Sequence, residues 1–480
     1  MKEFNLRLGT RSPSLRITLT WGVWLLVTLT GCAVGPNYQR PAVNAPAAFR
    51  GETGEATNSF ANLPWWQVFQ DDTLQSLIRT ALTNNYDLRI ATSRVEQARA
   101  LAAEARAGFF PLLNYGATAA GGKNISDTAP APTGTSGSVY AVDATASWEI
   151  DLWGRIRRLN ESARAQFFAS QEARRDVTIA LVAEVAQDYF QLLALDRQLE
   201  IARQSTNSFG QSLRIFGQRL RGGVASKLET SSAEALMDSS AATIPGVEQQ
   251  IAFEENQLSV LLGQNPGAIV RGNLSLDTAT LPVIPAGLPS ALLERRPDIR
   301  EAEQQLRSAN AQVGAAKANF FPQLNLTALF GGVSPELAAF TSGGSVAWGI
   351  AAGLTGPIFH GGQIRAQYAQ AWAVRDQFAL QYQAAVLNAF LEISDALVSG
   401  EKSAAAGAQE SQAVTAYQEA VKIAMERYRQ GSADYYEVLQ EQQLLFPAEN
   451  TEAQFQFNRL LAVVQLYRAL GGGWELPGDH

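Results

Sequence analysis

The sequence repeats itself. Residues 87–114 align without a gap on residues 298–325, a shift of 211, with 12 of 28 positions identical. Five of those identities are alanine, which any alanine-rich helix supplies, but the rest are Asp, Arg, Phe, Phe, Pro, Leu and Asn, ending in the hexapeptides FFPLLN (109–114) and FFPQLN (320–325). From residue 138 the shift settles at 208: GRIR (154–157) falls on GQIR (362–365), Arg219 on Arg427, Gly223 on Gly431, and Leu262-Gly263 on Leu470-Gly471. A coincidence of helical period would not hold one register to the end of both halves. The chain is therefore a tandem duplication, and its fold has to be buildable twice.

Each half has the same grammar. A helix over 87–108 or 298–319 stops at Phe-Phe-Pro, because proline lacks a donor and restricts the residue before it. The period then changes to two. Leu113, Tyr115, Ala117 and Ala119 alternate with Asn114, Gly116, Thr118 and Ala120, and Leu324, Leu326, Ala328 and Phe330 take the matching places. After a polar loop (121–137; 331–344), Tyr140, Val142, Ala144, Ala146 and Trp148 face away from Asp143, Thr145, Ser147 and Glu149, with Val346, Trp348, Ile350, Ala352 and Leu354 as counterparts. This predicts two hairpins, 112–152 and 323–359, each of two strands of about ten residues. Helical period then runs on to Arg221 and Arg429, about 100 Å at ~1.5 Å per residue, the length of a coiled-coil or helical-tube assembly. Glycine turns (RGGVAS, 221–226; RQGSAD, 429–434) lead into return helices, which Pro245 and Pro447 are expected to bend at different heights. The repeats are bounded at 65–290 and 291–475, followed by a tail, 476–480.

The hairpins admit two readings. Strands with one apolar face carrying Tyr115, Tyr140, Trp148, Phe330 and Trp348 fit an outer-membrane barrel, with those aromatics facing lipid. They also fit ordinary half-buried hairpins. On the barrel reading, four strands cannot close, and an open edge in lipid leaves backbone groups unpaired, so other copies must complete it. Three copies supply twelve strands. Phe109, Phe110, Pro111, Phe320, Phe321 and Pro322 then mark joints at the barrel rim.

The N-terminus reads as an export signal: basic Lys2, Arg7, Arg11 and Arg16, an apolar run Ile17 to Leu29, then Thr30 and Gly31. Cys32 follows, the only cysteine. LTGC (29–32) resembles the bacterial lipobox, which implies that Cys32 is acylated and anchors the chain in a membrane, three acyl chains exceeding what stable anchoring needs. The alternative is a buried, inert thiol. Ala33, where an aspartate would imply inner-membrane retention, implies sorting to the outer membrane. A Pro-, Ala- and Gly-rich extended tail, 32–64, is expected to run over a surface. Net charge is −7, or −10 once the four basic residues and one acidic residue of the leader are set aside, with no basic patch, so nucleic acid is not an expected partner. Hydrophobic residues at 46% exclude disorder. His360 and His480 are the only histidines, and there is no phosphate loop or metal-spaced cluster, so neither catalysis, a metal nor a cofactor is expected. With methionine only at 1, 237 and 425, a methionine-lined copper route lacks support.

CAVGPNYQRP (32–41), WWQVFQDDTLQSLIRTAL (65–82), the paired Phe-Phe-Pro, WGRIR (153–157), RRPDI (295–299) and RYRQGSADYYEVL (427–439) together resemble the TolC family. More narrowly they resemble its lipidated OprM and NodT branch, over nearly the whole mature chain. The resemblance implies a mainly α fold with a small transmembrane β part. It implies a homotrimer: a twelve-stranded barrel continuing into a long periplasmic helical barrel, anchored through Cys32 in the outer membrane of a Gram-negative bacterium. It implies a passive exit duct whose partners are a periplasmic adaptor and an inner-membrane RND-type transporter. A duct for type I secretion or metal efflux, or a non-conducting envelope-spanning scaffold, are the alternatives.

By motif position Glu229 and Glu437 fall where the family lines its periplasmic aperture with carboxylates, and Tyr428 matches its gating tyrosine. Ala433 stands where a basic partner is expected, leaving Arg427 or Arg429 to substitute. Arg219, Gly222, Gly223, Gly431 and Ser432 fall at the tips that would dock the adaptor. Ser226-x-x-Glu229 and Asp434-x-x-Glu437 equally fit capping boxes, so cap and gate both remain open. A ring of three Glu437 would favour cations.

Overall fold

Proline decides where the helices of each repeat give way to strand. In the computed structural model, residues 33–44, 46, 49–51, 64–123, 136–272, 274–276, 292–334, 336–337 and 346–472 are described. The leader, Cys32 and the last residues lie outside them. The order is α1 Trp65–Val68, α2 Asp72–Asn84, α3 Tyr86–Ala107, β1 Leu112–Lys123, β2 Ser136–Ile150, α4 Arg155–Arg221 and α5 Lys227–Leu261. There follow α6 Leu292–Arg295, α7 Pro297–Ala318, β3 Gln323–Ser334, β4 Val346–Thr355, α8 Gln363–Arg429 and α9 Tyr435–Ala469. Helices α4 and α8 are each 67 residues long, and α5 and α9 each 35. Pro245 and Pro447 lie inside α5 and α9, which run through them as single helices.

The chain divides into two compact units. The first comprises Met1–Arg40, Gln97–Phe168 and Gln304–Leu380. Here α3 and α7 end in the same way: Phe109 N donates to Arg106 O (3.1 Å) and Phe110 N to Ala107 O (3.0 Å), matched by Phe320 to Lys317 (3.2 Å) and Phe321 to Ala318 (3.0 Å). The last turn tightens to three-residue bonds, the proline offers no donor, and the chain leaves as strand. The indole of Trp148 donates to the Phe109 carbonyl at 3.1 Å, and that of Trp153 to the Pro322 carbonyl at 2.7 Å. Trp153 also stacks on Phe321 with centroids 4.6 Å apart.

The four strands form one antiparallel sheet in the order β1-β2-β3-β4. They are 12, 15, 12 and 10 residues long, so three exceed the expected ten. The excess lies where loops were expected: Gly121-Gly122 still pair with Ser138-Gly137, and Gly331-Gly332 with Asp143-Val142. Glycine can remain in a ladder when its partner supplies the bonds. At Gly331 it must, since a Cβ there would lie 2.4 Å from the Val142 carbonyl. The register gathers Tyr115, Tyr140, Trp148, Phe330 and Trp348 on one face, with Val142, Ile350 and Leu354. Among the described residues nothing covers that face: Tyr115 is 92% exposed, Trp348 74% and Ile350 78%.

The extended tail is clamped to this unit. Val34 N donates to Trp153 O at 3.0 Å, Arg158 Nη2 to Asn37 Oδ1 at 2.9 Å, and Asn310 Nδ2 to Pro36 O at 3.0 Å. Arg307 lies 4.8 Å over the Tyr38 ring. Gly35, at φ 104°, passes so close to Gly314 that a Cβ would meet its Cα at 2.4 Å.

The second unit comprises Pro41–Glu96, Ala169–Glu303 and Gln381–His480. Its main core joins Trp65, Phe69, Leu74 and Ile78 to Tyr189 and Phe190 of α4, Leu258 of α5, and Phe457 and Tyr467 of α9. A separate apolar cluster, Phe209, Phe216, Ala233, Ala424, Tyr428, Val438 and Leu439, lies by the two helix turns.

Candidate functional site

Both long helices end on a left-handed glycine, as a helix C-terminus favours. Gly223 (φ 72°) and Gly431 (φ 77°) carry the same paired bonds: Gly223 N to Leu220 O and Val224 N to Arg219 O, then Gly431 N to Tyr428 O and Ser432 N to Arg427 O, all 2.9–3.0 Å. Two return helices start a few residues later, which brings the acidic candidates of the first turn back beside the last turn of the outgoing helices.

At the first turn the capping box forms. Ser226 N donates to Glu229 Oε1 (2.9 Å) and Glu229 N to Ser226 Oγ (3.4 Å). The other carboxylate oxygen of Glu229 accepts from Tyr428 Oη at 3.2 Å, across the two repeats. Arg219, expected at the docking tip, turns inward instead. Its Nη1 donates to the Tyr428 carbonyl at 2.7 Å and its guanidinium stands 4.4 Å over the Tyr428 ring. Phe216, wholly buried, meets Tyr428 edge-on at 4.9 Å and Tyr435 at 6.0 Å. Burial pushes the Tyr428 phenol up to about 12, with Glu229 adding to the rise and Arg219 opposing it. The phenol is therefore a permanent donor.

At the second turn the expected capping box does not form. Asp434 accepts from Tyr436 N at 3.3 Å, while Glu437 is drawn away to Arg427 Nη1 at 3.1 Å. A charge-assisted bond outcompetes the backbone donor. Arg429 pairs at long range with Glu426, at 4.0 Å. Gly222, Gly223, Gly431 and Ser432 are exposed. Beside them three apolar side chains are exposed that sequence reading passed over: Val224, Leu228 and Tyr436. His360 is exposed after β4.

Further polar contacts inside the second unit were not anticipated. Gln442 Nε2 donates to Ser208 Oγ (2.7 Å) and Ser212 Oγ donates to Gln442 Oε1 (3.1 Å), with Ser212 and Gln442 fully buried. Asp188, 2% exposed, is pushed to about 7 by burial and by nearby Glu254 and Glu184, against the donor Gln257 at 3.2 Å. Glu301 is likewise pushed to about 7 by burial, then by Asp176, Asp298 and Glu172. Glu172 in turn takes Arg175 (2.6 Å) and Arg300 (2.8 Å) on one oxygen. A helical period marks such positions only as one face or the other; it gives no sign of depth.

The family model for outer membrane efflux proteins matches residues 77–264 and 288–472, one span in each repeat. The solvent efflux pump outer membrane protein SrpC of Pseudomonas putida is 35% identical over 460 residues, 95% of this chain and 98% of its own. The cation efflux system protein CusC of Escherichia coli is 32% identical, over 94% and 97%. Among solved structures, the open state of the Neisseria gonorrhoeae MtrE outer membrane channel aligns with a TM-score of 0.85 at 30% identity, over 92% of this chain and 99% of that one. The outer-membrane channel OprN aligns at 0.84 and 30%, over 92% and 100%. Duplicated sheet, paired 67-residue helices and matched turns thus find their place: the chain belongs to the outer membrane efflux protein family and is a TolC-like outer-membrane factor.

Proposed function

We propose that this chain is the exit duct of a tripartite efflux assembly. Three copies close a twelve-stranded barrel in the outer membrane, their long helices continue it as a periplasmic tunnel, and Cys32 carries the acyl anchor. An inner-membrane RND-type transporter supplies the energy and a periplasmic adaptor joins it to the duct at the helix turns. The observation that carries this reading is the sheet: four strands with an uncovered apolar face, and outer strands β1 and β4 each paired on one side only among the described residues. In lipid such edges must be paired, which a second and third copy can do. Exposed Val224, Leu228 and Tyr436 beside Gly223 and Gly431 offer the adaptor an apolar contact.

At the turns, Arg219, Tyr428 and Glu229 hold the two repeats together, and Arg427 with Glu437 adds a second, exposed pair. Loosening the contacts of Tyr428 with Arg219 and Glu229 opens the aperture, and the exposed Arg427–Glu437 pair adds little to holding it shut. A duct for metal ions is the second reading, supported by the likeness to CusC. Conductance of the purified chain in planar bilayers tests the duct. Small closed-state currents in the wild type and large ones after Glu437→Gln with Tyr428→Phe are expected; no current in either would leave only the scaffold reading.

A further inference from the structure

We propose that Gln442 is a positioning residue for the closed aperture: its amide pins α9 to α4 in the register that sets Tyr428 against Arg219 and Glu229. This rests on the reading that those contacts hold the aperture shut, and adds what places them.

The seam is written in both helices. On α4, Ser205, Ser208-Phe209, Ser212, Phe216 and Arg219 recur every three or four residues, and on α9 Tyr435, Val438-Leu439, Gln442 and Phe446 do the same. The two stripes meet at three levels. Phe209 faces Phe446 at 5.4 Å and Phe216 faces Tyr435 at 6.0 Å, edge-on in both cases. Between these rings lies a polar layer. Gln442 Nε2 donates to Ser208 Oγ at 2.7 Å and to the Ser208 carbonyl at 3.5 Å, and Gln442 Oε1 accepts from Ser212 Oγ at 3.1 Å. Gln442 is 1% exposed and Ser212 is wholly buried.

Ring contacts tolerate a slide, and a buried amide does not. Moving one helix a turn along the other exchanges one apolar neighbour for the next, but leaves both ends of the amide without partners. A polar position in an apolar helix seam selects register in this way, at a cost in stability. Below the amide, Tyr428 and Phe216 share a cluster with Val438 and Leu439, and the next position of the α4 stripe is Arg219, which donates to the Tyr428 carbonyl. Fixing α9 at Gln442 therefore fixes where Tyr428 meets α4.

The duplication shows that this layer is not general to the helix pairs. Under the shift of 208, Gln442, Ser208 and Ser212 fall on Glu234, Ala416 and Ala420. Glu234 is exposed, and an alanine side chain can make no hydrogen bond. The pin survives only on the stripe that carries Arg219.

Gln442→Met in the full-length chain tests this, with Gln442→Leu as a second apolar filling. Both remove the amide and keep the seam filled, and Ser208 and Ser212 can turn their hydroxyls to carbonyls of their own helix. In planar bilayers the open probability should rise about tenfold, the factor that one net hydrogen bond carries, while the melting point in detergent holds or rises. A merely stabilising contact gives the other pairing, a lowered melting point with conductance moving only in step with it, and that result overturns the proposal. Arg219→Ala in the same bilayers separates the pin from the lock. A rise for Arg219→Ala with none for either Gln442 variant overturns the pin and leaves the lock standing. No rise for Arg219→Ala removes the lock, and the pin with it.

Discussion

The two helix turns share a backbone and differ in their side chains. Gly223 and Gly431 take nearly the same φ and carry the same pair of bonds, so the duplication has kept what a reversing helix demands. Around that frame Glu229 both caps its helix and receives Tyr428 from the other repeat, whereas its counterpart Glu437 leaves its cap for Arg427 ten residues earlier. Arg219 and Arg427 occupy the same aligned position. The first is packed on Tyr428, and the second pairs at 51% exposure. Divergence after duplication has thus made one turn the cross-repeat lock and left the other a local, solvated pair.

The comparison breaks most completely at Phe216. Phe216→Ala empties the buried seat of Tyr428 and Tyr435 and should cost about 3–5 kcal/mol, read as a lowered melting point in detergent with early proteolysis at both turns. Arg219→Ala should cost about 2 kcal/mol, since it removes a hydrogen bond and a ring contact. Arg427→Ala at the aligned position should cost under about 0.5 kcal/mol. Gly223→Ala and Gly431→Ala, by contrast, should cost about equally, ~1–2 kcal/mol each, because the left-handed conformation is common to both turns. Tyr428→Phe removes only the bond to Glu229, about 1 kcal/mol, and should raise channel conductance.

pH separates the turn from the core above it. With its phenol near 12, Tyr428 keeps its proton in the folded chain after an unfolded tyrosine, near 10, has begun to lose it, so this contact gives flat stability at neutral pH and a loss only above about 10. Asp188 behaves otherwise. Folded near 7 against 3.8 unfolded, it binds its proton more tightly when folded, so stability falls as pH rises from about 4 to 7. Asp188→Asn should remove that slope and raise the melting point at pH 8.

Much of the fold was legible because it is local and periodic. The Phe-Phe-Pro joints, the two long helices to within a residue and the face shared by Tyr115, Phe330 and Trp348 all follow from period and from proline. Gly121-Gly122 and Gly331-Gly332 misled, since glycine reads as loop where a partner strand keeps it in the ladder. The capping box at Asp434 misled because Arg427, seven residues away in sequence, competes for Glu437. Arg219 on Tyr428, Gln442 on Ser208, and the clamped tail at Asn37 join residues far apart in the chain, which no local pattern reports.

Single-channel conductance of Arg219→Ala beside Arg427→Ala, in planar bilayers under one salt and voltage, tests the central claim most directly: an outer-membrane duct closed by a cross-repeat lock at Tyr428. A large rise for Arg219→Ala and little change for Arg427→Ala is the predicted result. Equal rises, or a larger one for Arg427→Ala, would contradict it.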